Sequence, residues 1–409
     1  MRHFAIPVIL AISLLVSAAR AAEMPFPKFR AQQLEEKLTV GYGVLLIDLN
    51  GDHKPDIVVA DSKRVIWFEN PSWTMHTILE GQTAPDNVAI APIDPRGDGK
   101  PDLVLGAGWK GYNTKDNSTL QWLQRGENVA EPWTLHPIAF NDVALHRVHV
   151  ATIDGKQHVF AAPLLGRGAS QKGNWSESTP KLLEYEVPVD PLNGPWKAKV
   201  VTDQFHVVHN FGPVDFDGNG KTELLVASYE GLWLLRPQED GSWKAQQIGA
   251  GEQSKPAASR GCSEAKLGHT KSGQRFIATI EPWHGNEVVV YTPPQGGAGL
   301  WDRKILDSSL HEGHGIWLVD LTRDGSDDII ACSRGGKPGE GRGVFVYSLN
   351  SPTGNASDGM WTKHVIDDQD MAAEDMAAAD LKGEGNIDIV AVGRATHNVR
   401  IYWNEGKGK

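Results

Sequence analysis

The sequence predicts an all-β fold, a seven-bladed β-propeller closed by an N-terminal strand, and three observations predict it. Five stretches repeat one design: LLIDLNGDHKPDIVVA from Leu45, IAPIDPRGDGKPDLVLG from Ile90, GPVDFDGNGKTELLVA from Gly212, WLVDLTRDGSDDIIA from Trp317 and AAADLKGEGNIDIVAV from Ala377. Each is a short apolar strand, an acidic Gly-bearing turn and a second apolar strand. Degenerate copies at Val148 and Ser263 bring the units to seven. Their spacing of roughly 45–60 residues is near that of four-stranded propeller blades. Second, a Trp-led strand alternating apolar and polar residues recurs at Trp73, Trp133, Trp196, Trp243, Trp301 and Trp361. Third, the last unit ends at Trp403-Asn404-Glu405 without such a strand, while a matching stretch, Phe29–Leu34, precedes the first unit. That N-terminal strand is expected to complete the last blade and so remove an exposed sheet edge.

The third strand of each unit often carries aromatics, as in Val65–Phe68, Leu232–Leu234 and Val399–Trp403. Because the six strand-leading Trp residues recur, their expected role is blade packing. The 44 Gly and 14 Trp suit a turn-rich β fold. The formal net charge of -11 sits largely in the repeated turns. No basic stripe points to nucleic acid. The first 21 residues read as a signal peptide, with a positive start, an apolar run and an Ala19-Arg20-Ala21 cleavage site. The run is shorter than the ~20 residues of a spanning helix. The expectation is a secreted or periplasmic protein with no membrane span after cleavage, residues 22–409 forming one propeller domain. Cys262 and Cys332 are too few for a disulfide framework and read as free buried thiols.

The acidic turns offer oxygen ligands at alternate residues, as Ca2+ requires. The first offers Asp48, Asn50, Asp52 and Asp56, the fourth Asp215, Asp217, Asn219 and Glu223, and the sixth Asp320, Thr322, Asp324 and Asp328. In the second and seventh turns Arg96 and Lys382 stand where a third ligand is expected, and each is placed to neutralise the carboxylates instead. The turns resemble those of FG-GAP/VCBS repeats, which implies structural Ca2+.

The turns also orient the ring. Strand-one starts and strand-two ends lie on the opposite face, around the central channel. They carry polar residues that the repeat does not require: Tyr42, His146, His149, His209, His311, His314, Glu374 and Asp375 from the starts, and Trp109, Tyr229, Trp283, His284, Arg334, Arg394 and His397 from the ends. Tyr42, His146, His149, His209, His284, His314 and Arg394 are candidates for catalysis. Trp109, Tyr229, Trp283, Arg334 and His397 are candidates for substrate binding. His209, His311, His314, Glu374 and Asp375 have ligand chemistry for Zn2+ or another divalent metal.

The stretches HRVHVATIDGKQHVFAAPLLGRG, HNFGPVDFDGNGKTELLVASYEG, FIATIEPWHGNEVVVYTP, EGHGIWLVDL and EDMAAADLKGEGNIDIVAVGRATHNVRIYWNEG resemble secreted bacterial propellers. Those are similar in turn to the propeller domain of the aldos-2-ulose dehydratase family. The resemblance runs from about Val40 to Glu405. It implies a metal in the propeller and an elimination on an oxidised sugar or a uronic-acid glycan. Such a step needs a base, a cation for the enolate and a proton donor. The first expectation is therefore a metal-assisted lyase or dehydratase with a carbohydrate partner. The alternative is a non-catalytic propeller that binds glycan or protein through the same mouth, and a hydrolase is a third reading.

Overall fold

The computed structural model describes residues 26–255, 259–351 and 353–407, so the expected signal peptide lies outside the described residues. Seven four-stranded antiparallel sheets follow one another in the chain. Their innermost strands are Gly41–Ile47, Ala89–Ile93, Leu145–Ile153, Asn210–Val214, Glu264–His269, Gly313–Val319 and Ala373–Ala379, in blades 1 to 7. Each packs beside the next, and the seventh packs beside the first, so the ring closes. No helix occurs among the described residues, and none is long and apolar enough to cross a membrane.

Closure follows the expected route. Phe29–Glu35 pairs antiparallel with Val399–Asn404 and completes blade 7 from the N-terminal end. Lys28 and Glu405 or Gly406 add backbone hydrogen bonds beyond the strand ends.

The second strand of each blade lies between neighbours on both faces. Accordingly Asp56–Asp61, Asp102–Ala107, Glu223–Ser228, Asp328–Ser333 and Asp388–Gly393 are buried throughout, which explains their unbroken apolar runs. The strand-leading Trp residues tie blades together. Trp243 meets Phe160 of blade 3, Trp301 meets Phe216 of blade 4, Trp361 meets Phe276 of blade 5 and Trp73 meets Trp403 of blade 7, with ring centroids 5.5–5.9 Å apart. Each therefore reaches back onto the preceding blade. These Trp residues are half-buried, and the rings they cover, Phe160, Phe216, Phe276 and Trp403, are buried; truncating a buried ring of that size costs roughly 3–5 kcal/mol, so the contacts tie neighbouring sheets together.

The acidic turns fold as side-chain-capped loops. In the first, Asp48 accepts from the amides of Gly51, Asp52 and His53, and Asn50 accepts from Asp52. Asp215 caps Asn219 and Gly220, and Asp320 caps Asp324 and Gly325. The last acid of each turn is buried and binds backbone: Asp56 holds Leu49 and Asn70, Glu223 holds Phe216, and Asp328 holds Thr322. Asp217 is already paired with Arg236 and Arg275 at 3.2 and 3.3 Å. Arg96 lies 3.1 Å from Asp102 and 3.6 Å from Asp98, the neutralising position its sequence suggests. Lys382 instead lies 4.7 Å from the centre of the Trp403 ring.

Loss of the strand Phe29–Glu35 would bare the edge of Val399–Asn404. Deleting residues 26–35 should lower the melting temperature and produce aggregates on gel filtration. An unchanged, monomeric protein would rule out this closure.

Burial raises the carboxyls of Asp56 and Asp388 to about 6 and that of Asp328 to about 7. A carboxyl raised in the folded state stabilises fully below its unfolded value of about 4 and loses that contribution as pH rises through 6–7. Asp328→Asn should flatten the fall in melting temperature between about pH 4 and 7. A variant with the same slope as the parent would remove Asp328 as its cause.

Candidate functional site

Four residues at the channel mouth owe their direction to β-bulges. Pairing with the second strand skips Tyr42 between Gly41 and Gly43, and His146 between Leu145 and Arg147. It likewise skips His314 between Gly313 and Gly315, and Glu374 between Ala373 and Asp375. A bulge leaves one extra residue unpaired and re-aims its side chain. His209 occupies the corresponding place immediately before the inner strand of blade 4.

His146, His209 and His314 converge from blades 3, 4 and 6, with one nitrogen of each within 4.8 Å of the others. All three are buried, His209 completely. Each turns Nδ1 to a main-chain carbonyl of the following blade: His146 to His209 O at 3.0 Å, His209 to Ser263 O at 3.0 Å, His314 to Glu374 O at 2.6 Å. A carbonyl only accepts, so Nδ1 carries the proton and the Nε2 lone pair is left free. Burial holds all three imidazoles below their ordinary range, hence neutral. Neutral rings with anchored Nδ1–H groups are what a divalent metal requires of histidine. The Nε2 of His314 is buried without any hydrogen-bond partner, and Glu374 Oε1 is 3.6 Å from it. The residues fit a metal.

The surroundings are charged. Arg147 donates to His146 Nε2 at 3.3 Å and to Glu264 Oε1 at 3.3 Å. Glu264 also accepts from His209 Nδ1 at 3.1 Å and from the side-chain amide of Asn210. Burial pushes the Glu264 carboxyl up, but the His209 hydrogen bond and the Arg147 charge outweigh that, and it stays ionised. Glu374 is clamped by Arg334 at 2.8 and 2.9 Å and by Arg394 at 2.8 Å. His284 Nε2 lies 2.9 Å from His209 Nε2. Since the His209 proton is on Nδ1, His284 is the donor. Burial pushes the Tyr42 phenol well up, helped by the Asp86 carboxylate, so it remains protonated.

Aromatic side chains wall the mouth. Trp109 lies 5.2 Å from the His146 ring and Trp283 4.7 Å from the His284 ring, with Tyr229 behind Trp283 at 5.9 Å. Tyr112, on the loop after the second strand of blade 2, stacks on Trp175 and stands edge-on to Trp283. Together they leave a cavity of about 50 Å³ over the histidines, lined by Tyr42, Tyr112, His284, Arg334, Glu374 and Arg394 among others. A larger chamber of about 340 Å³ lies further along the channel. Another hollow, about 780 Å³ beside Phe26 and His364, contains none of these residues.

The structure divides the sequence candidates. Tyr42, His146, His209, His284, His314, Arg334, Glu374 and Arg394 come together, backed by Trp109, Trp283 and Tyr229. His149 and Asp375 do not join them; they line the deeper chamber, which Arg147 lines as well. There His149 Nε2 is 3.4 Å from Asn210 Oδ1, and burial pushes its imidazole down to about 3. His311 is exposed beside Gly336 and Gly341, outside the triad. His397 is exposed too, its Nδ1 on Thr39 O at 3.0 Å. Both belong to loops whose course strand counting does not reach. Glu264 and Tyr112 escaped the sequence reading. Glu264 sits in a degenerate repeat at the register of Arg147 and Asn210, which was the available signal.

The fold and site define a seven-bladed β-propeller with a buried histidine cluster across its channel. Residues 118–294 match the family model of the aldos-2-ulose dehydratase β-propeller domain, and residues 48–105 that of an FG-GAP-like repeat. The chain resembles aldos-2-ulose dehydratase from Phanerodontia chrysosporium, being 27% identical to it over 359 residues, 79% of this chain and 37% of that protein. It thus spans little more than a third of that relative's length. Among solved structures, BBS1N in complex with ARL6DN has a TM-score of 0.57 at 13% identity, covering 94% of this chain and 98% of that one. A lectin of Agrocybe aegerita, described as recognising non-reducing terminal N-acetylglucosamine, has 0.52 at 16%, covering 87% and 90%. At these identities the likeness is one of fold.

Glu264→Gln would remove the buried counter-charge of the partly buried Arg147 while keeping the side-chain shape. The expected loss is about 3–5 kcal/mol in denaturant unfolding. A loss below 1 kcal/mol would mean that Arg147 finds another partner.

Proposed function

We propose that this propeller is a metal-assisted, carbohydrate-active lyase that acts by elimination at the channel mouth. The observation that carries the reading is the convergence of three neutral, carbonyl-anchored histidines from three blades. The relation to a sugar dehydratase supplies the substrate class. His146, His209 and His314 would hold the ion. A bound Zn2+ or similar ion would supply Lewis-acid stabilisation of an enolate oxygen.

The remaining roles fall to the chain. His284, neutral and facing the cavity, would take the proton from the carbon next to the carbonyl or carboxylate. The electron pair of that C–H bond becomes the C=C bond, and the neighbouring C–O bond breaks. Tyr42, kept protonated, would donate to the departing oxygen. Arg334 and Arg394 add positive charge where the enolate develops. The wall of Trp109, Trp283 and Tyr112 suits a sugar face. A second, structural metal is proposed for the acidic turns: Ca2+ on Asp48, Asn50, Asp52 and Asp56, and on Asp215, Asn219 and Glu223 where Asp217 is released by its arginines. Export of the mature chain would suit both the ion and the substrate.

Metal analysis of purified protein should find a divalent transition metal together with calcium. His209→Ala should lose the transition metal alone and keep its circular dichroism. Formation of unsaturated product from keto-sugars or uronic-acid glycans, followed by ultraviolet absorbance, should fall by about 10²–10⁴-fold or more. If no such substrate reacts, and glycans bind with an affinity lost in Trp283→Ala, the protein is a binding module.

A further inference from the structure

The mouth cavity is small and its charge is lopsided, and together these select a substrate group. Its volume is about 50 Å³. A water needs about 10–15 Å³ by that measure, so there is room for about three to five waters. Sites that enclose a whole organic ligand run to ~300–1,000 Å³. A pyranose ring does not fit over the histidines; a planar exocyclic group does.

Among the residues lining the cavity, Arg147, Arg334 and Arg394 face a single carboxylate, Glu374. Arg147 is answered by Glu264 beneath it. Arg334 is fully engaged: NH1 binds both oxygens of Glu374, Nε lies 3.2 Å from Glu312, and NH2 faces the His284 ring. Arg394 differs. Only its NH1 is engaged, on Glu374 Oε1. Its guanidinium rests over the Tyr42 ring at 5.6 Å, and the side chain is 39% exposed. Its Nε and NH2 have no partner among the described residues. A guanidinium edge with two free N–H groups matches a carboxylate in two parallel hydrogen bonds.

We infer that Arg394 reads the carboxylate of an acidic sugar, which enters the cavity while the sugar ring remains outside against Tyr112. This rests on the elimination reading and narrows it, favouring a uronate over a neutral keto-sugar. In a neutral keto-sugar the carbonyl carbon belongs to the carbon skeleton and offers no detached planar anion. A carboxylate held there has its α-carbon at the cavity entrance, beside His284 and Tyr42, which is where elimination must start.

Isothermal titration of the full chain with sodium D-glucuronate, its methyl ester and D-glucose tests this without turnover. Glucuronate should bind, and the ester and glucose should bind at least 10-fold more weakly. Arg394→Ala should weaken glucuronate by about 10- to 100-fold, the range for a lost charge-assisted pair, and leave the ester unchanged. Arg394→Lys, which keeps the charge and loses the fork, should recover only part. Equal binding of acid and ester, no binding of the acid, or full affinity in Arg394→Ala overturns the inference. Elimination from a neutral keto-sugar at an unchanged rate in Arg394→Ala overturns it too, while sparing the lyase reading. Selective glucuronate binding without turnover of any sugar supports Arg394 and rejects the lyase.

Discussion

Each imidazole of the triad is aimed by a hydrogen bond that crosses from its own blade to the next. His146 of blade 3 holds the carbonyl of His209, His209 holds Ser263 of blade 5, and His314 of blade 6 holds Glu374 of blade 7. One bond therefore does two things: it fixes the proton on Nδ1, and it ties ring geometry to blade spacing. The spacing is set elsewhere, by the Trp residues that reach back onto preceding blades and by the N-terminal strand that completes blade 7. A loosened blade would shift a carbonyl and rotate the ring that depends on it. Rigid positioning of this kind is what a preorganised site needs.

The inner strands themselves are ordinary antiparallel ladders, and a regular ladder would send alternate side chains into the channel. The bulges at Tyr42, His146, His314 and Glu374 break that alternation at one level only. Below it the alternation resumes with Arg147, Asn210, Glu264 and Asp375. The channel is thus layered: at the mouth neutral histidines beside the Glu374–Arg334–Arg394 cluster, and a second ionic layer under them. Glu264 joins them, since it accepts from both His209 and Arg147.

That layering explains what was legible in the sequence. Repetition revealed seven blades, their order and their closure, because burial on both faces forces the same apolar run into every second strand. Non-repetition revealed the mouth, since a polar residue at a strand start answers no packing need. What repetition cannot show is depth. His149 and Asp375 lie near the right strand ends, but past the bulged positions, Asp375 by one residue and His149 by three, which places them in the lower chamber. A bulge is a backbone event with no residue signature, so the step was not readable. Tyr112 arrives from a loop that no other blade repeats, and only the ring contacts with Trp175 and Trp283 reveal its place.

The three Nε2 lone pairs are not equivalent. His146 Nε2 receives Arg147, and His209 Nε2 receives His284. His314 Nε2 receives nothing, and a buried nitrogen without a partner is costly. A divalent ion held there, as proposed, would gain most at His314 and would have to displace a donor at each of the other two. Arg147 has Glu264 to retain it when it swings away from His146. His284 has no comparable anchor: its contacts to Arg334 are 3.4 Å or longer. Metal capture would therefore leave the His284 Nε2–H without its acceptor on His209, the ring still packed against Trp283. On that proposal, the displacement that admits the ion would also free the side chain assigned to take the proton.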